Sequence, residues 1–239
     1  MWSILWDRQA AFLPENATNN FIEGIDKVGF VRDKIPNFDE VEARLAKLTA
    51  WSLTVVPGHI ENRLFFEHIA NKRFPATTWI RKMSELDYLE EPDMFHDVYG
   101  HIPLLSDQKF CDFLEGISRI ALKHIDNDLA IELITRIYWY TVEFGLGIEA
   151  DKLKIYGAGI LSSNGESKFS LSNQPMKAFY NIQEIFHTQY IKEQYQDKYY
   201  VIHSFKELYD SLPEIESLLE KELDLVKTYD FYKLQSTTD

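Results

Sequence analysis

Two of the seven histidines stand five positions apart in EEPDMFHDVYGHIPLL, residues 90 to 105. Neutral imidazole and carboxylate are the usual protein ligands of a divalent iron or zinc ion. On an ideal α-helix, five residues turn by roughly 140°, so His96 and His101 reach one ion only if the helix ends or bends between them. Gly100 and Pro103 stand where regular helix is expected to fail. The alternative is two ordinary capping or core histidines. A third ligand is needed, and Glu143 offers one. It lies in YWYTVEFGLG beside Val142, Phe144 and Leu146. A carboxylate among such residues is costly unless paired or coordinated. A pair with Arg136, or a place on a solvent-facing helix edge, would also satisfy it. Two histidines and one acid form the facial set of non-haem Fe(II) oxygenases, and a zinc hydrolase accepts the same set. The residues alone leave both open.

These groups must be positioned by their surroundings, which read mainly as helix. ATNNFIEGIDKVG spaces Phe21, Ile22, Ile25 and Val28 at helical intervals. PNFDEVEARLAKLTAW offers Asn37 as a cap, acids in the first turn, and Val41, Leu45 and Leu48 on one face. TVVPGHIENRLFFEHIA reads as a loop carrying Pro57 and Gly58, then a helix. SDQKFCDFLEGISRIALKHI starts on a Ser or Asp cap, with Phe110, Phe113, Leu114 and Ile117 in its stripe. DLAIELITRIYWYTVEFGLGIEA reads as one long buried helix, apolar on most sides. After residue 151, KLKIYGAGILSSNGE reads as a strand with turns, KYYVIHSF as a second strand, and PEIESLLEKELDLVKTY as helix. The fold class expected is mainly α with a small β part (α+β).

The chain has 239 residues and a formal charge of −13, with aromatic residues at 14%. That length suits one domain, and no charge block or Gly/Ser tract divides it. The acidic balance repels phosphate backbones and anionic lipid surfaces, so neither nucleic acid nor membrane is an expected partner. Cys111 is the only cysteine, which excludes an intrachain disulfide framework and a cysteine zinc finger. No leader and no apolar run of membrane-span length is visible. A cytoplasmic protein is expected.

Three blocks in this order, EPDMFHDVYGHIPLL, YWYTVEFGL and IYGAGILSSNGE, resemble the pterin-dependent aromatic amino acid hydroxylases, bacterial phenylalanine 4-hydroxylases among them. The resemblance runs from about residue 20 to about residue 205. It implies a single catalytic domain over residues 1–239, without the regulatory domain and oligomerisation helix of the animal enzymes, and a monomer, with a homodimer as the alternative. It implies that His96, His101 and Glu143 bind one Fe(II), and that tetrahydrobiopterin and O2 take part. Arg81 matches the arginine that pairs with the amino acid carboxylate, for which a guanidinium fork is well shaped. Trp139 and Ser162 match residues close to the substrate. Phe65 matches the phenylalanine that stacks on the pterin, and Gly58 and Ile60 the loop that presents backbone groups to it.

Apart from the resemblance, each of these has a plainer reading. Arg81 could be a surface ion pair, Trp139 and Phe65 core, and Ser162 a turn hydroxyl. Two departures stand out: Asp97 follows the first histidine where animal members carry Glu, and Leu89 stands where they carry Thr. Asp97 is expected close to the iron and pterin. The function implied is ring hydroxylation of L-phenylalanine to L-tyrosine, with tryptophan or tyrosine as alternative substrates and a zinc-dependent hydrolase as a more distant one.

Overall fold

The computed structural model describes residues 1–86, 91–190, 192 and 194–236, with side chains described as far as residue 226. Leu89 lies outside the described residues. The first half runs α1 (Trp2–Ala10), α2 (Leu13–Asn16), α3 (Asn19–Val28), α4 (Phe38–Leu48), β1 (Ser52–Val55), α5 (Asn62–Ala70) and β2 (Arg73–Ala76). A π-helix, Phe95–His101, passes directly into a 3-10 turn, Ile102–Ser106. Then follow α6 (Gln108–Lys123), α7 (Asp128–Tyr138), a second π-helix, Trp139–Glu143, and β3 (Leu146–Glu149). The remainder is β4 (Lys152–Ile155), α8 (Ala158–Leu161), α9 (Asn164–Leu171), β5 (Met176–Phe179), α10 (Ile182–His187), β6 (Lys198–Ile202), α11 (Phe205–Asp210) and α12 (Leu212–Ser236). The fold class is therefore mainly α with a small β part, as expected.

Local signals account for the helices. Asn37 caps α4 by accepting from the Glu40 amide at 3.0 Å, and Asp107 caps α6 by accepting from Lys109 and Phe110. Satisfying first-turn amides in this way fixes where a helix starts. Phe110, Phe113, Leu114 and Ile117 are all buried, as are Val41 and Leu45. Leu48 is not: it is 42% exposed at the end of α4, where the helix stops before completing the expected face. Gly29 closes α3 in the left-handed region at φ 76°, a conformation that suits glycine because it has no Cβ.

The strands depend on partners far along the chain. β1 and β2 lie parallel with α5 as the crossover between them, and β5, α10 and β6 repeat that plan. The larger sheet has the order β4-β3-β6-β5, with β3 antiparallel to β4 and parallel to β6. Two expectations change here. The long apolar helix ends at Glu143, and Leu146–Glu149 is strand β3. The second half of KLKIYGAGILSSNGE is helical, as α8 and the start of α9.

One continuous cluster of buried side chains runs from Trp2 to Leu223. At its centre Phe95 and Tyr99 stack at 4.6 Å and 10°, and Trp2 of α1 meets Phe95 edge-on at 5.3 Å. Gln9 and Arg8 of α1 are tied to the opposite corner: the Gln9 amide donates to the Leu161 carbonyl and Asn164 donates to the Arg8 carbonyl. Among the described residues no helix is long and apolar enough to cross a membrane.

Glycines let the segments around Glu143 approach closely. A Cβ on Gly100 would lie 2.9 Å from the Ala158 carbonyl oxygen, and one on Gly157 would press into the Glu143 carbonyl and the Gly145 amide. Backbone on both sides leaves little room to yield. Gly157→Ala should therefore lower unfolding free energy by about 1–3 kcal/mol. Gly58→Ala, with open space around it, should stay within about 0.5 kcal/mol of wild type. Urea denaturation of both variants checks the contrast.

Candidate metal centre

The five-residue spacing of the two histidines is resolved by a widened helix rather than a broken one. Phe95–His101 is a π-helix, whose i→i+5 pairing brings residues five apart nearly above one another. The second π-helix carries Glu143, and Phe144 N–H closes on the Trp139 carbonyl at 2.8 Å. Gly100 and Pro103 mark where the π-helix gives way to the 3-10 turn, not a break between the ligands.

The three side chains converge. Nε2 of His101 lies 3.2 Å from Nε2 of His96 and 3.2 Å from Oε1 of Glu143, and His96 Nε2 lies 3.5 Å from Glu143 Oε2. They are the one group of three or more ligating side chains found close together among the described residues. Three ligands at about 2.1 Å from one ion stand roughly 3.0 Å apart at right angles and roughly 3.4 Å apart at tetrahedral angles. The observed edges fit a divalent ion on either geometry. Arg136 is not the partner of Glu143: it bonds Glu132 and the Phe186 carbonyl.

The protonation states suit a metal. Burial pushes the His96 pKa down despite the pull of Glu143, so its ring is neutral. Burial alone would raise the Glu143 pKa, but His101 and His96 outweigh it and hold the group below its usual value. Ser162, 7% exposed, fixes the His96 tautomer. Its one hydroxyl proton goes to the Ala158 carbonyl at 2.8 Å, so at 3.0 Å it can only accept from His96 Nδ1. Nε2 then keeps its lone pair toward Glu143 and His101. The turn hydroxyl and the contact near the centre are thus the same group.

Asp97 is buried and accepts from the Thr77 amide at 2.8 Å, which pins the residue after β2 to the π-helix. Burial raises its pKa even so. Arg81 is also buried, and its fork faces Asp93: Nε to Oδ2 at 2.9 Å and Nη2 to Oδ1 at 2.8 Å. Asp93 in turn accepts from the Arg81 amide and the His96 amide. Burial would raise the Asp93 pKa, but Arg81 lowers it overall. Asp93 thus clamps Arg81 to the start of the histidine helix. It stands inside the quoted EPD, yet spacing says nothing of its role.

Of the two adjacent phenylalanines, Phe66 is core and Phe65 half-buried. Phe65 meets Tyr138 edge-on at 5.4 Å, and the Tyr138 pKa is pushed well up by burial and then by Glu143. Gly58 and Ile60 lie half-buried on the loop between β1 and α5. Trp139 is half-buried, stacks on Tyr190 at 4.4 Å and 22°, and donates its Nε1 proton to Gln196 Oε1 at 3.0 Å. Tyr190 and Gln196 lie some fifty residues further along, and no local pattern marks them.

Glu166 is a buried carboxylate with no cation against it among the described residues. Oε1 accepts from the Tyr199 hydroxyl at 2.7 Å and the Gln196 amide at 3.2 Å. Burial raises its pKa to about 7, against the lowering effect of those two donors.

Residues 1–236 match the model of a family described as biopterin-dependent aromatic amino acid hydroxylase, beyond the stretch of resemblance on both sides. Phenylalanine-4-hydroxylase of Ralstonia nicotianae is 42% identical over 221 residues, covering 92% of this chain and 70% of its own. That of Chromobacterium violaceum is 42% identical over 211 residues, covering 88% and 71%. A crystal structure of the Chromobacterium violaceum enzyme with bound Fe(III) superposes with a TM-score of 0.89 at 41% identity, over 93% of this chain and 81% of that one. A second, with iron(III) and 7,8-dihydrobiopterin, gives 0.88 at 41% identity, over 93% and 80%.

Two outcomes are expected. Ser162→Ala, which frees the His96 ring to turn or change tautomer, should weaken Co(II) or Fe(II) binding by about 10–100-fold, read by metal titration. Glu166 has a folded-state pKa of about 7 against 4.5 for the free group. Below pH 4.5 both states are protonated and its contribution is whole. Between pH 4.5 and 7 the unfolded chain ionises first, so stability falls with rising pH, by about 3 kcal/mol in all. Glu166→Gln should flatten that part of the profile in denaturation series at pH 4.5 to 7.5.

Proposed function

The chain belongs to the biopterin-dependent aromatic amino acid hydroxylases, and on that premise we propose that it hydroxylates the ring of L-phenylalanine to L-tyrosine with iron and tetrahydrobiopterin. The observation that carries this reading is the convergence of His96, His101 and Glu143 on one point, with the ligand atoms facing one another. The relatives named phenylalanine-4-hydroxylase support the substrate, and the crystal structures holding iron and dihydrobiopterin support the cofactors. The whole of residues 1–239 is taken as one catalytic unit.

The donor set fits the metal: two imidazoles and a carboxylate, half-buried or buried, with the His96 tautomer fixed by Ser162. When bound, ferrous iron and the reduced pterin supply the activation of O2, with two electrons from the pterin, one oxygen atom passing to the ring and the other to the pterin. The remaining tasks fall to side chains. His96, His101 and Glu143 would hold the ion through their converging ligand atoms. Phe65 offers a ring face to the flat pterin, and the Gly58–Ile60 loop offers backbone donors and acceptors to its edge. The pair with Asp93 uses Nε and Nη2 of Arg81, which leaves Nη1 for the amino acid carboxylate. Trp139 borders the substrate ring and holds its edge near the metal. Asp97 fixes the backbone beside the centre through Thr77.

The test is a product assay with Fe(II), tetrahydrobiopterin and, in turn, phenylalanine, tryptophan and tyrosine. Tyrosine formed from phenylalanine at the highest kcat/KM is the expected result. His101→Ala and Glu143→Ala should retain no metal after dialysis and give background turnover. Pterin-independent hydrolysis by a zinc-loaded protein, with no oxygen uptake, would sink the proposal.

A further inference from the structure

The Trp139 indole is held in place by Phe144 and by two residues outside the three blocks, Tyr190 and Gln196. Its ring has two freedoms, the tilt of its plane and the roll about the Cβ–Cγ bond. Stacking on Tyr190 at 4.4 Å and 22° limits the tilt, and Phe144 lies against it at 4.7 Å. Stacking is tolerant of sliding and of a flip, because a ring face carries no directional donor. The Nε1 proton removes that tolerance by pointing at Gln196 Oε1, 3.0 Å away. A flipped indole would leave this half-buried N–H without its acceptor, which costs more than the bond itself contributes.

The acceptor cannot follow the ring. Gln196 is 3% exposed. Its side-chain amide donates to the Gln194 carbonyl at 3.3 Å, and its backbone amide donates to Glu166 Oε1 at 3.2 Å. Glu166 is held in turn by the Tyr199 hydroxyl at 2.7 Å. Glu166 lies in the first turn of α9, four residues beyond Ser162, the residue bonded to His96, and Trp139 begins the π-turn that ends in Glu143. The indole is thus referenced to both sides of the metal centre.

We infer that Gln196 is a specificity-determining positioning residue, which sets the roll of the Trp139 indole and thereby the shape of ring the site accepts. Gln196 does not touch the substrate; it acts through Trp139. The inference rests on the reading that Trp139 borders the substrate ring.

Gln196→Leu keeps the bulk of the side chain and removes the acceptor. Gln196→Asn keeps the amide and withdraws it by one methylene. In the metal- and pterin-loaded enzyme, each should raise KM for phenylalanine about fivefold and narrow the preference for phenylalanine over tryptophan by a similar factor. Metal content per chain should be unchanged, and kcat should change less than about twofold. In a Trp139→Phe background, which lacks the indole donor, the same substitutions should produce no further shift. Should Gln196→Leu fail to fold, Gln196→Asn carries the same comparison. An unchanged KM and preference, or an equal shift with and without the indole, overturns the inference while leaving phenylalanine hydroxylation intact. Absence of wild-type turnover on all three amino acids overturns the underlying reading, and this inference with it.

Discussion

The i→i+5 turn is the constraint on which the site depends. An α-helix would send His96 and His101 to different faces, and a π-turn stacks them. Glu143 ends a second such turn. Neither is a favourable local state, since the hydrogen bonds of a π-turn are poorly matched to ordinary backbone preferences. Both persist because packing fixes them from outside. Asp93 binds the first amide of the histidine turn, Gly100 lets that turn lie against Ala158, and Gly157 lets the next segment lie against the Glu143 carbonyl. The metal centre is a property of two helices forced together, and its three ligands are the visible part of that arrangement.

Charge inside the protein follows one rule, from which Asp97 and Glu166 depart. Asp93 is matched by Arg81, and Glu143 by two imidazoles. Each carboxylate is thereby kept ionised in a place that would otherwise protonate it. Glu166 has only dipoles, a phenol and an amide, and so titrates near neutrality. Its position between α9 and the stretch before β6 makes it a joint rather than a ligand.

The parts of the fold legible from sequence were those settled within a few residues. Asn37 and Asp107 announce α4 and α6 because a cap acts over one turn. Strands β1 and β2 could not be read, because four-residue segments with no alternation become strands only on meeting each other. β3 was hidden for a related reason: a run buried on both sides looks the same as helix or strand. At the site, residue types alone left iron and zinc, ligand and core histidine, equally open. The resemblance of three blocks pointed to iron where spacing could not, and it offered expectations for Arg81 and Phe65. It assigned no role to Asp93, Tyr190 or Gln196, whose contacts are made only in the folded chain.

Helix α1 has a consequence for how this protein is made. Trp2 seats on Phe95, while Gln9 and Arg8 are tied to residues more than 150 positions later. At a synthesis rate of about 5–20 residues per second, Leu161 and Asn164 leave the ribosome roughly eight to thirty seconds after Gln9 and Arg8. Throughout that interval the Gln9 side chain and the Arg8 carbonyl lack the partners they bond in the folded protein. That end of α1 is therefore among the last parts of the fold to settle.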